Sequence, residues 1–352
     1  MKPIDLVAQV RRLPKVELHL HLEGSVRIDT LMRLAKRHRT ELAGLDVEAV
    51  RTAVYAFSDF RSFLASFRQI CLHLRDPRDY IEIFRDLQAY LTGERIRYAE
   101  VIYSPAIPWR WGRDGREILM ALLDEATAFE ERSGIRVRWI LDCVRQFGRA
   151  AAEQTAELAV EFQPRGVVGL GLGGDELSVP AEEFREVFAW ARAHQVYTHI
   201  HAGEVGDPAS IWEALQILGA NRIGHGIQAA RDGRLMEYLR ERAVGLDVCL
   251  TSNVRTRAWP MLGDHPLGLL LRRGVPVSLN TDDPGLFETT LGEEFAKAVQ
   301  FLGLGWEELV RVLLQGVRSS FLPHEEKMQL MQEISDAVRS IHEADHPDSL
   351  PQ

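Results

Sequence analysis

Two imidazoles stand at alternate positions in Val16-Glu17-Leu18-His19-Leu20-His21-Leu22-Glu23-Gly24. The alternation predicts a strand with Val16, Leu18, Leu20 and Leu22 on one face and Glu17, His19, His21 and Glu23 on the other. Rings at i and i+2 project the same way from adjacent pleats. His19 and His21 are therefore a workable pair of metal ligands, since neutral imidazole is the commonest protein ligand for zinc. Taken alone, a His-x-His pair is explained more simply by two imidazoles on a solvated strand face. The choice depends on what else the chain offers.

It offers a good deal. Further imidazoles and carboxylates close other apolar runs: Gly171-Leu172-Gly173-Gly174-Asp175-Glu176, Thr198-His199-Ile200-His201-Ala202-Gly203-Glu204, Gly224-His225-Gly226, Thr251-Ser252-Asn253 and Asn280-Thr281-Asp282-Asp283-Pro284. Three neutral His and one carboxylate can hold a dication such as zinc and leave a position for water, whose pKa drops to about 7 there. A carboxylic acid beside the ion can hand a proton to a ring nitrogen of a substrate, and a further His can orient the attacking water. Such a set hydrolyses a C–N bond at an electrophilic carbon. The Gly171–Gly174 run supplies neither a carboxylate nor a Lys to bridge two ions, so one metal is expected. Its glycines would let the backbone approach a flat ligand closely.

The elements that must position these groups follow a rhythm. Strands are predicted at about 16–22, 98–104, 137–143, 167–172, 196–201, 222–226, 244–250 and 276–281, each followed by a helical pattern. Alternating strand and helix implies parallel pairing, and eight units imply closure into a TIM-type (β/α)8 barrel, which carries its active site at the C-terminal ends of its strands. Every polar cluster named above falls at such an end. Residues 1–14 read as a lead-in of a turn or two. Residues 26–95 read as a helical insertion whose Phe57, Phe60, Phe63, Leu64 and Phe67 form either plain core or a lid over a site. Extra helices follow the last strand, and a polar tail occupies about 341–352. A single domain over 1–352, with the barrel over about 15–335, is the economical reading.

The bulk properties agree. The chain has 352 residues, 46% hydrophobic and 26% charged, as expected of a globular protein with a sizeable core. Lys and Arg total 42 against 51 Asp and Glu, a net charge of −9 that argues against a broad basic surface for nucleic acid. Cys71, Cys143 and Cys249 form no C-x-x-C pair and cannot all be bridged, which fits a reducing compartment. With neither a signal-peptide pattern nor a membrane-length apolar run, a cytoplasmic protein acting on a small molecule is expected. Oligomeric state is not readable from the sequence.

Pro14-Lys15-Val16-Glu17-Leu18-His19-Leu20-His21-Leu22-Glu23-Gly24, His201-Ala202-Gly203-Glu204, Gly224-His225-Gly226, Thr251-Ser252-Asn253 and Ser278-Leu279-Asn280-Thr281-Asp282-Asp283-Pro284 together resemble the adenosine deaminase family of metal-dependent purine aminohydrolases. The likeness spans nearly the whole chain, in order. The H-x-E…P-C-x-x-C pattern of cytidine-type deaminases is absent. The resemblance implies one zinc held by His19, His21, His201 and Asp282. It implies that Glu204 gives a proton to purine N1, that His225 positions the attacking water and helps deprotonate it, and that Asp283 hydrogen-bonds N7. It also implies that the Gly174 N–H meets N3, that His21, Glu23, Phe63 and Phe67 touch the substrate, and that the Phe57–Phe67 stripe is the family's lid. His199 is read as core or support one layer deeper, and His194, Cys143 and Cys249 as structural. Asp175 and Glu176 are read as a solvated loop, and Lys15 and Glu17 as rim or bottom polar groups.

The choice of purine stays open. Glu23 stands where adenosine deaminases usually carry Asp, and Glu is usual in the branch that takes free adenine. Yet His201–Gly206 and Ser210–Leu215 look more like the nucleoside branches. Arg255 and Arg257 either lie on the surface or suit an anionic extension such as the benzoate of 6-amino-6-deoxyfutalosine. The expected reaction is deamination of adenosine or 6-amino-6-deoxyfutalosine. Free adenine, or another substrate of a single-metal barrel hydrolase, is the alternative.

Overall fold

The apolar runs read as strands are buried on both faces, as parallel strands covered by helices must be. The computed structural model describes residues 3–345. Its strands are β1 Lys15–His21, β2 Ile96–Tyr103, β3 Arg136–Val144, β4 Val167–Gly173, β5 Tyr197–Ala202, β6 Arg222–His225, β7 Gly245–Val248 and β8 Val277–Leu279. They pair in parallel in sequence order, with helices between them, and form a TIM (β/α)8 barrel.

The seam between β8 and β1 places the site. β8 ends earlier than the pattern suggests, because a side chain takes over the ladder: Asn280 Oδ1 accepts the Leu18 N–H at 2.7 Å and the His19 N–H at 3.2 Å. Past this point the backbone of Asp282 pairs with β1, the His21 N–H donating to Asp282 O at 2.8 Å and the Asp282 N–H to His19 O at 3.1 Å. Residues far apart in the chain are thereby fixed side by side. The pairing of β1 with β2 shifts register between Glu17 and Leu20. The simple alternation over 17–23 therefore fails at both ends. Glu17 bonds to Thr281 and to Tyr90 Oη rather than sharing the imidazoles' surroundings, and Glu23 lies in a turn beyond the strand.

Beneath the imidazoles the barrel is plugged by a buried polar network. Arg222 donates to Glu100, to Asp247 at 2.6 Å and to the carbonyls of Leu18 and Ser319, with Phe321 stacked 4.1 Å from its guanidinium. His199 Nε2 lies 3.1 Å from the same Asp247, one layer below the site as expected. Lys15 is anchored at the opposite end by the carbonyls of Arg11, Leu13 and Glu94.

The insertion after β1 is helical, with Ile28–His38, Val47–Val50, Phe60–His73 and Pro77–Gly93. Asp59 with Ser62, and Asp76 with Asp79, form the capping boxes that start the last two. Only Phe60–His73 lies over the barrel mouth, and it is called the lid helix below. Pro77–Gly93 packs on β2 and on the helix Gly115–Ser133. The aromatic stripe has both characters: Phe57 packs against Phe63 and Phe287, while Phe60, Phe63, Leu64 and Phe67 face the cavity. The two chain ends also differ from the sequence reading. The lead-in is a ten-residue helix, Pro3–Arg12, and the final helix runs His324–Asp345, into the expected tail. Residues 346–352 of that tail lie outside the described residues. Among the described residues no helix is long and apolar enough to cross a membrane.

Candidate active site

β1, β5 and the segment after β8 bring His19, His21, His201 and Asp282 together, all buried, with potential ligand atoms within 4.8 Å of one another. His21 Nε2 lies 3.1 Å from His201 Nε2, and Asp282 Oδ1 lies 3.1 Å from His19 Nε2 and 3.4 Å from His21 Nε2. Donors about 2.0–2.1 Å from a tetrahedral ion stand roughly 3.3 Å apart, so the set has the spacing of a zinc site. Neither ring nitrogen of His19 has a hydrogen-bond partner, although both are buried. Burial, the main cause, holds His19 and His21 well below the ordinary histidine range and lowers His201, leaving three neutral rings ready to ligate. Burial would push the Asp282 carboxyl up, but His225, His21 and His201 outweigh it and leave it below the usual carboxylate range. Asp282 holds a left-handed backbone (φ 66°) and accepts a hydrogen bond from Ser252 Oγ at 2.7 Å.

Three more groups surround this cluster. Glu204, in the turn after β5, is buried, and burial first, then Asp282 and Glu176, raises its carboxyl well above the ordinary range. Its neutral form, able to donate, is therefore favoured. Its Oε2 lies 3.6 Å from His225 Nε2. Asp283 is raised in the same way, by burial and by the adjacent Asp282, and its Oδ1 is unpartnered. Gly24 makes room for it: a Cβ there would fall 1.6 Å from Asp283 Oδ1.

The proton on His225 can be assigned from its neighbours. The Leu267 N–H donates to His265 Nδ1 at 3.2 Å, so neutral His265 carries its proton on Nε2. That nitrogen faces Asn253 Oδ1 at 3.2 Å, and the Asn253 amide nitrogen faces His225 Nδ1 at 3.0 Å. The opposite amide orientation would set two donors against each other. His225 thus carries its proton on Nε2, which points at Glu204 and Asp282.

The cluster and its neighbours form the floor of a cavity of about 350 Å³ roofed by the lid helix. Its wall includes His21, His201, Glu204, His225, Asp282, Asp283, Gly174, Phe63 and Phe67. Gly174 has φ +87°, and a Cβ there would collide with Gln146 Oε1 at 2.3 Å, so its backbone stays bare to the cavity.

The family model described as "Adenosine deaminase" matches residues 14–337. This chain belongs to the adenosine deaminase family. It is 37% identical to an aminodeoxyfutalosine deaminase of Streptomyces coelicolor over 94% of this chain and 86% of that protein. It is 36% identical to an adenosine deaminase of Edwardsiella ictaluri over 91% of this chain and 97% of that one. The crystal structure of an adenine deaminase from Arthrobacter aurescens superposes with a TM-score of 0.88 at 29% identity, covering 93% of this chain and 99% of that one. As a member of the family the chain is a hydrolytic deaminase.

Within this family member, two expected substrate contacts do not reach the cavity wall. Glu23 is buried behind it, its Oε1 accepting the Ser104 N–H at 3.1 Å, its Oε2 unpartnered, and burial pushing it up to about 7. The longer Glu side chain thus turns to the β2 terminus. Arg257 is exposed with φ 61°, beside Asp59 at the start of the lid helix. Its neighbour Arg255 is structural, donating to Tyr55 O and Leu286 O and stacking over Phe57. Strands two and three add wall residues that the sequence reading missed, Ser104 and Asp142. The Asp142 carboxyl occupies the space that side chains at Gly171 and Gly173 would fill, so those glycines admit a neighbouring side chain as much as a flat ligand.

Glu176 is not a solvated loop residue. Its carboxylate accepts the backbone N–H groups of Gly203, Glu204, Val205 and Gly206 at 2.6–3.2 Å, and Ser210 Oγ at 2.7 Å. It fixes the turn that carries Glu204. Glu176→Gln replaces charge-assisted acceptance by an amide whose NH2 faces N–H donors. The expected result is a fall in kcat of about 10–100-fold with metal content unchanged and KM little affected. Steady-state kinetics alongside metal analysis checks it, and an unaltered kcat would remove the positioning role.

Proposed function

We propose that this enzyme hydrolyses the exocyclic C6–N bond of a 6-aminopurine nucleoside, adenosine or 6-amino-6-deoxyfutalosine, releasing ammonia and the 6-oxopurine, with one zinc ion per chain. The observation that carries the reading is the grouping of two buried carboxyls, Glu204 and Asp283, whose neutral forms burial favours, with an Nε2-protonated His225 around a His3Asp cluster at a cavity floor. What the ion supplies when bound is acidity, bringing the pKa of a coordinated water to about 7.

The chain's own residues account for the rest. Glu204 donates to purine N1, which draws electron density from C6 and opens it to attack; of the attacking water's two protons, one restores the Glu204 acid and the other leaves on the amino group as ammonia when the C6–N bond breaks. Asp283 donates to N7, an acceptor, and so fixes the ring plane. His225 donates from Nε2 to the attacking oxygen, holding it beside C6 and stabilising the charge it carries. This is a donor's role, where the family resemblance alone implied help in removing a proton. Phe63 and Phe67 close the apolar roof and exclude water, and the bare N–H of Gly174 is available to N3.

The cavity reaches from this floor to exposed residues, a span suited to more than a bare purine, and the likeness to an aminodeoxyfutalosine deaminase supports a nucleoside. Ammonia release from adenosine, 6-amino-6-deoxyfutalosine and adenine by the purified enzyme tests the reading. Turnover of one or both nucleosides is expected, and activity confined to adenine would overturn the nucleoside assignment.

A further inference from the structure

We infer that Asp142 reads the sugar of the substrate, its carboxyl bonding the 2′-hydroxyl of the ribose. The inference rests on the deamination reading above. It deepens that reading by naming a group on the substrate that the chemistry at C6 does not use, and the residue that recognises it.

The order of nitrogens around the purine, set against the order of strands around the barrel, decides where the sugar lies. In the pose above, N1 meets Glu204 after β5, N3 meets the Gly174 N–H after β4, and N7 meets Asp283 after β8. Going round the ring from N1 through N3 to N7, the nitrogen passed in between is N9. Going round the barrel from β5 through β4 to β8, the strands passed in between are β3, β2 and β1. N9 and its sugar therefore face that arc. Its wall residues include Asp142 of β3 and Ser104 just past the end of β2. Asp142 is on the N3 side of the arc, standing opposite Gly171 of β4 and held by the Gly173 N–H. A nucleoside with its base anti turns its 2′ carbon to that side and its ring oxygen to the other. Both nucleosides named above carry a hydroxyl there.

The Asp142 side chain is set up for a ligand rather than for packing. Among the described residues four acids line the cavity: Asp282 belongs to the metal cluster, Glu204 and Asp283 serve the purine ring, and Asp142 is left over. It is 2% exposed, and among the described residues its Oδ1 has no hydrogen-bond partner. An unpaired buried oxygen is destabilising, and an apolar side chain would fill the same place without that cost. β4 also gives up two side chains to admit it. A Cβ at Gly171 would fall 2.4 Å from Asp142 Oδ1, and one at Gly173 would fall 2.7 Å from Oδ2, although glycine weakens a strand. Burial first, then Glu23, raises the Asp142 carboxyl well above the usual carboxylate range, with Arg145 and the Gly173 N–H acting the other way. The neutral form favoured in this way can both donate and accept, as a hydroxyl can, so the two groups suit each other.

The test compares kcat/KM for adenosine, 2′-deoxyadenosine and 5′-deoxyadenosine, with metal content measured on every preparation. If the enzyme turns over only 6-amino-6-deoxyfutalosine, the same three are compared as competitive inhibitors of that reaction. The native enzyme is expected to favour adenosine over 2′-deoxyadenosine by about ten-fold or more, because the analogue leaves a buried polar group without its hydroxyl. Asp142→Ala should bring that ratio close to one. Asp142→Asn, whose amide can still bond a hydroxyl, should keep most of it. Gly171→Ala retains the carboxyl but drives it from its place, and should lower the ratio too. The ratio of adenosine to 5′-deoxyadenosine should be the same in all of these proteins. A native ratio near one overturns the inference, and so does a ratio unmoved in metal-bound Asp142→Ala or a change confined to the 5′-deoxy compound; deamination itself then still stands. Should Asp142→Ala lose its metal, Gly171→Ala decides in the same way. Ammonia released from none of these nucleosides, nor from 6-amino-6-deoxyfutalosine or adenine, would strike the deamination reading instead.

Discussion

Glu204→Gln is expected to lower kcat by about 10²–10⁴-fold, the range for loss of a positioned general acid, while the protein keeps its full metal content. Gln has nearly the same shape and can still donate an N–H to purine N1, so binding should change little. What it cannot do is transfer a proton, and without that transfer C6 stays a poor electrophile. The effect should therefore fall on kcat and kcat/KM alike rather than on KM. The carboxyl is suited to the task because burial, together with Asp282 and Glu176 nearby, favours its neutral form. It is also held in place, its backbone N–H bonded to Glu176 and its carbonyl accepting from Gln228 at 3.3 Å. Kinetics on adenosine with metal analysis of the same preparation decides the matter. Turnover near that of the native enzyme would remove Glu204 from the role, and loss of metal would mean that the substitution had disturbed the cluster instead.

How far such a site can be read from sequence depends on what fixes each group. The strands and the cluster were readable because their signals are local and repeated: apolar runs separated by helical periods, each ending in His, Asp or Glu. The chemistry of His19, His21, His201 and Asp282 needs those residue types, so their positions stand out. Asp142 carried a weaker signal that could have been used, being the one acid in the apolar run Trp139–Val144. The Glu176 partnership had no local signal, since it depends on a turn folded from residues about thirty positions away. The anion-binding alternative for Arg255 and Arg257 finds no support for a related reason. Arg255 and Arg257 are near Asn253 in sequence, yet a helix end and a left-handed residue turn one under Phe57 and the other out to solvent. The register shift in β1 is likewise a consequence of barrel closure, invisible in the alternation that suggested a strand.

Asp282→Asn should bind metal at least about 10²-fold more weakly and lose nearly all activity. Four donors hold the ion in the proposed site, and Asp282 is the only anionic one among three neutral imidazoles. Asn is the informative substitution because it tolerates the left-handed backbone found there, whereas Ala at φ 66° would add strain of about 1 kcal/mol or more. The backbone bonds of residue 282 to His19 and His21, which help close the barrel, do not involve the side chain and should survive. A loss of metal in the Asn variant is then a loss of ligand strength rather than of fold. Thermal unfolding gives a second reading. A site that binds only the folded protein stabilises it by about 4 kcal/mol when metal stands 1,000-fold above its Kd. Adding zinc to metal-stripped native protein should therefore raise Tm by several degrees, and the same addition to Asp282→Asn should raise it far less. Stoichiometric metal with an undiminished zinc-dependent rise in Tm would show that Asp282 is not a ligand. The role of the β1–β8 seam in joining Asp282 to His19 and His21 in one centre would then have to be abandoned.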